Sequence, residues 1–347
     1  MKKKIMFVMP TMGGGGAERV ISILANSFSE KEYDVFIILT KKEKISYQLN
    51  NKIVIEALRG NTSPLGQMMF IRKMEKKYNV DTVLSFLTYQ NMYTLLALFF
   101  SKKKIIVSER NDPSTTARGI AKLVREILYR RADAVVFQTE MAKRYFSKKI
   151  RHKGIIIANP INVEALPYSL VENREKKIVC VARLEKQKNL FMLIKGFERF
   201  LELNNSYSLE IYGEGSLRDK LVQYINSRNL QEKVLLKGFV KDVYNKIKNA
   251  GVFVLTSNHE GMPNAMLEAL AMGIPCVCTD CPVGASREFI TDGENGILIP
   301  VNDDEALCSA LNSVLLKKNL DNTQLKVDQI REKLSISNIS CLWESIL

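Results

Sequence analysis

The apolar and polar positions of this chain alternate between two periods. Apolar runs of strand length recur at residues 4–10, 34–40, 52–57, 81–86, 105–108, 134–138 and 154–157. Stretches with helical spacing lie between several of them, at 17–28, 64–78 and 118–131. Runs that are apolar throughout belong to parallel strands covered on both faces, so the pattern predicts α/β layers. A polar stretch over 159–176, opened by Asn159 and Pro160, reads as a linker. The alternation then resumes, with strands expected at 177–182, 209–212, 234–238 and 252–255 and helical segments from 304 onward. A length of 347 residues with 46% apolar residues suits two cores rather than one.

The most informative stretch is 250–304. After the apolar run 252–255 comes a loop with Glu260 and Gly261, then Pro263, which fits the first position of a helix reaching to about 272. Gly273 suits a left-handed cap, and Pro275 prevents continuation. A helix starting at Pro263, which has no N–H of its own, leaves backbone N–H groups free around Met262, Asn264, Ala265 and Met266, where its dipole favours an anion such as phosphate. Glu260 and Glu268 flank those amides. Carboxylates repel phosphate and accept from hydroxyls, so their natural partners are the diols of a ribose or a pyranose. Anion site and diol acceptors together imply a nucleotide sugar.

Charge divides the chain unevenly. Residues 1–165 hold 29 Lys and Arg against 14 Asp and Glu, whereas the remainder holds 22 against 23, so the net charge of +14 belongs to the first half. That half is expected to meet an anionic partner. Within it, residues 118–131 (RGIAKLVREILYRR) place apolar side chains at 120, 123, 124, 127 and 128 on one helical face. Lys122, Arg125, Arg130 and Arg131 make up the rest, a basic face that is either solvated or turned to anionic headgroups or a lipid-linked diphosphate. No platform of aromatic and basic residues accompanies the charge, so nucleic acid is not the expected partner. Of the six cysteines, Cys276 and Cys278 alternate on a short strand and read as small apolar residues rather than zinc ligands. The N-terminal apolar run ends in Pro and Gly rather than in a cleavage site, which gives the expectation of a cytoplasmic protein.

Residues 260–280, EGMPNAMLEALAMGIPCVCTD, with seven residues between Glu260 and Glu268, resemble the signature of retaining glycosyltransferases of family 4, which have the GT-B fold. The turn at 293–296 supports the likeness. So does ARLEKQKN at 182–189, similar to a family motif whose Arg and Lys grip the donor's β-phosphate; Arg183 and Lys188 stand at the matching positions. Gly15 and Gly16, followed by AERVISILAN, match the glycine pair that lets the backbone approach the donor diphosphate. The same loop lacks the spacing of a dinucleotide fingerprint.

The resemblance implies two Rossmann-like domains facing a cleft: an acceptor-side domain over 1–165, a donor-binding domain over 175–325, and a terminal segment 326–347 returning to the first. It further implies that Glu268 holds ribose hydroxyls, that Glu260 holds a sugar hydroxyl, and that the backbone near Phe239 lies by the base. Arg183 and Lys188 would stabilise the leaving diphosphate without a metal. Relatives often carry His, next to the transferred sugar, at the position of Arg110, which follows the strand 105–108; Arg110 either holds an acceptor phosphate or makes a structural salt bridge, and Lys122, Arg125 and Arg130 are further acceptor-side candidates. GGAERV, SFL at 85–87 and SERND at 108–112 look most like bacterial enzymes extending lipid-linked oligosaccharides or capsule repeats. The implied activity is transfer of a hexose or N-acetylhexosamine from a UDP-sugar to an undecaprenyl-diphosphate-linked or polysaccharide acceptor, on the inner face of the cell membrane. A GT-B enzyme with a soluble acceptor, or a sugar-nucleotide-binding protein without turnover, are the alternatives.

Overall fold

A computed structural model of the chain describes residues 2–41, 45–60, 62–168, 174–316 and 323–347. It divides into two compact units: Met1–Pro160 together with Leu334–Leu347, and Ile161–Lys333. The break after residue 160 falls at the Asn159-Pro160 step; residues 169–173 of the expected linker and residues 317–322 near the chain end lie outside the described residues.

The first unit is built on seven parallel strands in the order β3-β2-β1-β4-β5-β6-β7. These are β1 (Lys3–Met9), β2 (Tyr33–Leu39), β3 (Val54–Ala57), β4 (Thr82–Phe86), β5 (Lys104–Ser108), β6 (Ala134–Phe137) and β7 (Gly154–Ile156). All seven lie where the apolar runs put them, within a residue or two. A helix at Thr88–Ala97 was not expected from the periodicity, because the apolar stretch around it masks its helical period. The core carries a line of aromatic rings: Phe28 and Phe86 flank Phe7 at 6.2 and 6.4 Å, and Trp343 stacks on Phe86 at 5.5 Å. Trp343 comes from the terminal helix Ile336–Glu344, which therefore contributes to this unit's core.

The second unit has six parallel strands in the order β10-β9-β8-β11-β12-β13. They are β8 (Glu175–Val181), β9 (Ser208–Tyr212), β10 (Val234–Gly238), β11 (Ala250–Leu255), β12 (Cys276–Thr279) and β13 (Gly296–Ile299). One apolar core joins Ile178, Leu209, Ile211 and Val252 of the sheet to Leu193, Phe197 and Leu311 of the covering helices. Cys276 and Cys278 are buried on β12, and among the described residues no group of His, Cys, Asp and Glu is arranged to hold a metal ion.

Each sheet reverses its strand order once, between β1 and β4 in the first and between β8 and β11 in the second. Open α/β sheets bind ligands at the carboxyl ends of the strands beside such a reversal. The topology therefore marks two places, the loops after β1 and β4 and the loops after β8 and β11.

The loop after β8 is shaped by Gly213, which follows β9 with φ of +136° and whose missing Cβ would collide with the Ala182 carbonyl. Gly213→Ala combines left-handed strain with overpacking and is expected to lower stability by about 3 kcal/mol. Urea unfolding of the variant against the unsubstituted chain measures this.

Candidate active site

The second unit's reversal point carries the densest polar arrangement. After β8 the chain passes exposed Arg183 and a short 3-10 turn, Lys186–Lys188, and enters the helix Leu190–Leu203 through Asn189 in the left-handed conformation, φ 48°. After β11 it runs through buried Thr256 and Ser257 to Glu260. The two loops are laced together. The Asn258 N–H donates to the Gln187 carbonyl at 2.8 Å, the Gln187 side chain donates to the His259 carbonyl at 2.7 Å, and Thr256 Oγ1 donates to the Lys188 carbonyl at 3.0 Å.

At the centre of this lacing, Lys188 Nζ forms an ion pair with Glu260 Oε1, both side chains being nearly buried at 13% and 12% exposure. Ser257 Oγ donates to the same carboxylate oxygen at 2.6 Å. A charge pair so shielded from water is worth far more intact than broken, because either partner alone is left uncompensated. The arrangement has a neutral sum but separable parts: a cation for an anionic ligand and a carboxylate for a hydroxyl.

The helix after Glu260 spans Asn264–Ala271, with Pro263 as its N-cap rather than its first residue. The reason is that Pro263 keeps an extended ψ of 108°, so helical geometry begins one residue later. In its first turn the Met266 N–H already donates to the Pro263 carbonyl at 3.2 Å, and the amides of Asn264 and Ala265 open the helix. Met262, Pro263 and Met266 are buried, and Asn264 and Ala265 are half-buried at the helix mouth. Glu268 is in the helix interior and 6% exposed, which a solvated helix carboxylate would not be. On another loop of the same sheet edge, Phe239 follows Gly238 (φ 71°) and is 80% exposed, an open apolar face at the end of β10.

The first unit has three features that residue order alone does not show. Gly15 is the N-cap of helix Gly16–Glu30, and the amides of Gly14 and Gly15 both donate to Glu18 Oε2 at 2.6 Å, while Thr11 donates to Glu18 Oε1. Of the pair Gly15 and Gly16 that the resemblance sets against a donor diphosphate, the Gly15 amide is thus held by the chain's own carboxylate, together with that of Gly14. Glu18 was missed as a site residue, although its place three residues past the cap is the spacing of a capping box.

Arg125 is the second. It is fully buried, donating from Nη1 to the Pro113 carbonyl at 2.9 Å and to Thr116 Oγ1 at 3.2 Å, with its guanidinium over the Phe146 ring at 4.8 Å. It does not belong to a basic surface. Of the five apolar side chains on the predicted face, Leu128 is buried and Val124 half-buried, whereas Ile120, Leu123 and Ile127 are 80%, 64% and 62% exposed. Periodicity finds the two faces of a helix but cannot say which one has a partner. Lys122 and Arg130 are exposed beside the apolar trio.

Arg110 is the third. It is 5% exposed, packs over Phe86 at 4.8 Å and Trp343 at 5.5 Å, and donates from Nη1 to Asn159 Oδ1 at 2.9 Å. Burial pulls its guanidinium down to about 9, which leaves it charged at neutral pH. Its neighbour Glu109 is occupied elsewhere, accepting from Tyr129 and from Thr88 Oγ1 at 2.9 Å, and burial raises its carboxyl above the usual range.

Two parallel Rossmann-like sheets, with a cation and carboxylates at the reversal point of the second, define the class: a glycosyltransferase of the GT-B fold. The comparisons agree. The model of Glycosyltransferase Family 4 matches residues 14–165, and that of Glycosyl transferases group 1 matches residues 163–329. The Campylobacter jejuni N-acetylgalactosamine-N,N'-diacetylbacillosaminyl-diphospho-undecaprenol 4-alpha-N-acetylgalactosaminyltransferase is 31% identical, covering 91% of this chain and 90% of its own. The Erwinia amylovora amylovoran biosynthesis glycosyltransferase AmsD is 23% identical over 92% of each. Among solved structures, Anabaena HepE in complex with UDP and glucose superimposes with a TM-score of 0.84 at 17% identity, over 99% of this chain and 98% of that one. The chain belongs to the family 4 glycosyltransferases, with a group 1 domain as its second unit.

Glu18 provides a test of the glycine loop. In Glu18→Gln the amide oxygen can still accept from both glycines and the amide nitrogen can donate to Thr11, so stability should hold within about 0.5 kcal/mol. Glu18→Ala leaves the loop amides without their acceptor and should lose about 2 kcal/mol. Thermal and urea unfolding of the two variants check the difference.

Proposed function

We propose that this chain is a retaining, metal-independent transferase that moves a hexose or N-acetylhexosamine from a UDP-sugar to a lipid-linked diphosphate acceptor at an anionic membrane surface. The observation that carries the donor half is the Lys188–Glu260 pair at the carboxyl ends of β8 and β11. A nucleoside diphosphate competes for Lys188 and exposed Arg183, which releases Glu260 to accept from a sugar hydroxyl. Binding of the donor therefore rearranges a neutral pair instead of adding charge to an empty site. Glu268 would take the ribose hydroxyls, the amides from Met262 to Met266 the phosphate or sugar, and Phe239 the neighbourhood of the base. Gly15 and Gly16 would serve through close backbone approach, since the Gly15 amide is engaged with Glu18.

In the reaction the bond between the sugar's anomeric carbon and the β-phosphate oxygen breaks, and a bond to the acceptor hydroxyl oxygen forms on the same face. The acceptor's proton passes to the departing phosphate oxygen, so no separate base is needed. Arg183 and Lys188 stabilise the charge that grows on the leaving diphosphate, the part that a divalent ion plays in other transferases.

The acceptor half is supported by the diphospho-undecaprenol acceptor in the name of the Campylobacter relative and by the surface of helix Ile120–Tyr129. Its exposed Ile120, Leu123 and Ile127 lie beside Lys122 and Arg130, and Phe100, 83% exposed, is a further apolar side chain of the same unit. Apolar side chains bordered by cations suit a headgroup layer. No helix among the described residues is long and apolar enough to cross a membrane.

A panel of UDP-sugars with a short polyprenyl-diphosphate sugar should show turnover with inversion-free stereochemistry by NMR of the product, unchanged by EDTA. Glu260→Ala and Lys188→Ala are each expected to lower kcat/KM at least ~100-fold, about 3 kcal/mol in transition-state stabilisation. Detectable UDP-sugar binding with no turnover by the unsubstituted chain would instead identify a binder. For the membrane half, sedimentation with anionic vesicles should fall about tenfold in Leu123→Glu and weaken as salt rises; equal binding to neutral vesicles would overturn it.

A further inference from the structure

Arg110 has chemistry that the donor reading leaves unused. Its Nη1 is satisfied by Asn159 Oδ1, an oxygen that also accepts from Gln138 Nε2 at 2.7 Å. Its Nε and Nη2 are buried without any hydrogen-bond partner. Those two N–H groups form the parallel edge of the guanidinium, the edge that takes two oxygens of a carboxylate or phosphate at once. The indole Nε1 of Trp343, whose ring packs against the same guanidinium, is likewise buried and without a partner.

Among the described residues, no acid pairs with this charge. Burial alone lowers its guanidinium, and among the described residues it makes no ion pair. Glu109 is turned to Tyr129 and Thr88, and Asp112 accepts from Ser114. The aromatic faces of Phe86 and Trp343 moderate the cost of burying the cation but supply no acceptor in the guanidinium plane. A water molecule could accept from two of these donors, yet it carries no charge.

We propose that Arg110, with Asn159 and Gln138 holding its far side, is a binding site for a phosphate oxyanion of a diphosphate at the carboxyl end of β5. The site rests on the transferase reading for the identity of its ligand, because both substrates of that reaction carry a diphosphate: the nucleotide of the donor and the polyprenyl carrier of the acceptor. It does not rest on that reading for its chemistry. The nitrogens are shielded, so the anion reaches them as the covering side chains part, and Trp343 ties the terminal helix Ile336–Glu344 to the same event.

The test uses the full chain with Arg110→Met, which fills the space against the two rings without charge, and Arg110→Lys, which keeps charge without the parallel edge. Titration calorimetry with inorganic pyrophosphate, UDP and farnesyl diphosphate is the readout, alongside unfolding without ligand. Expected is at least a 10-fold loss of pyrophosphate affinity in Arg110→Met, partial recovery in Arg110→Lys, and an unfolding temperature in Arg110→Met no lower than that of the unsubstituted chain. A parallel loss for UDP assigns the site to the donor; a loss for farnesyl diphosphate with UDP unchanged assigns it to the acceptor. Unchanged affinity for all three probes, or a lowered unfolding temperature with affinities intact, overturns the proposal and makes Arg110 a fastener of the terminal helix. Pyrophosphate binding that depends on Arg110 in a chain with no turnover on any UDP-sugar would leave this site standing and remove the transferase reading.

Discussion

The second unit is organised by a single electrostatic constraint, the closure of the Lys188–Glu260 pair across the reversal point between β8 and β11. Both charges sit in a nearly dry place, so each depends on the other until a ligand supplies better partners. Around them the chain gives up ordinary geometry to keep the two loops in register. Asn189 is left-handed, Gly213 admits the Ala182 carbonyl, and Thr256 holds the Lys188 carbonyl. A parallel sheet needs no such lacing to be stable; what it secures is the position of the two charges relative to each other.

The first unit solves a related problem with its own atoms. Its glycine loop presents amides that favour an anion, and Glu18 answers them from within the helix they precede. Buried Glu109 is answered by Tyr129 and Thr88, with Arg125 near enough to favour its charge. Arg110 and Arg125 each have one nitrogen satisfied and the Nε–Nη2 edge unmatched, but Arg125 lies near the Glu109 carboxylate, whereas burial alone acts on Arg110.

The surface of helix Ile120–Tyr129 shows how tertiary context redirects a clear pattern. Its apolar and basic positions are as distinct in the structure as in the residue order, yet the buried side is formed by Arg125, Leu128 and Tyr129. Arg125 is drawn inward by the Pro113 carbonyl and the Phe146 ring, partners that come from other elements and carry no signal in the helix itself. Ile120, Leu123 and Ile127 are thereby left facing outward.

Local information was enough for the strands other than β13, for α/β layering and for the family, because parallel strands are read from unbroken apolar runs and the EGMPN and ARLEKQKN segments carry their chemistry within a few residues. It also named Lys188, Glu260 and Arg110 as residues of interest. Whether those groups would be exposed, paired or buried was decided only when β8 met β11 and the terminal helix brought Trp343 beside β5. The physical reason is that a residue's type sets which interactions it can make, whereas burial and partner distance, which determine what those interactions are worth, arise between segments far apart in the chain.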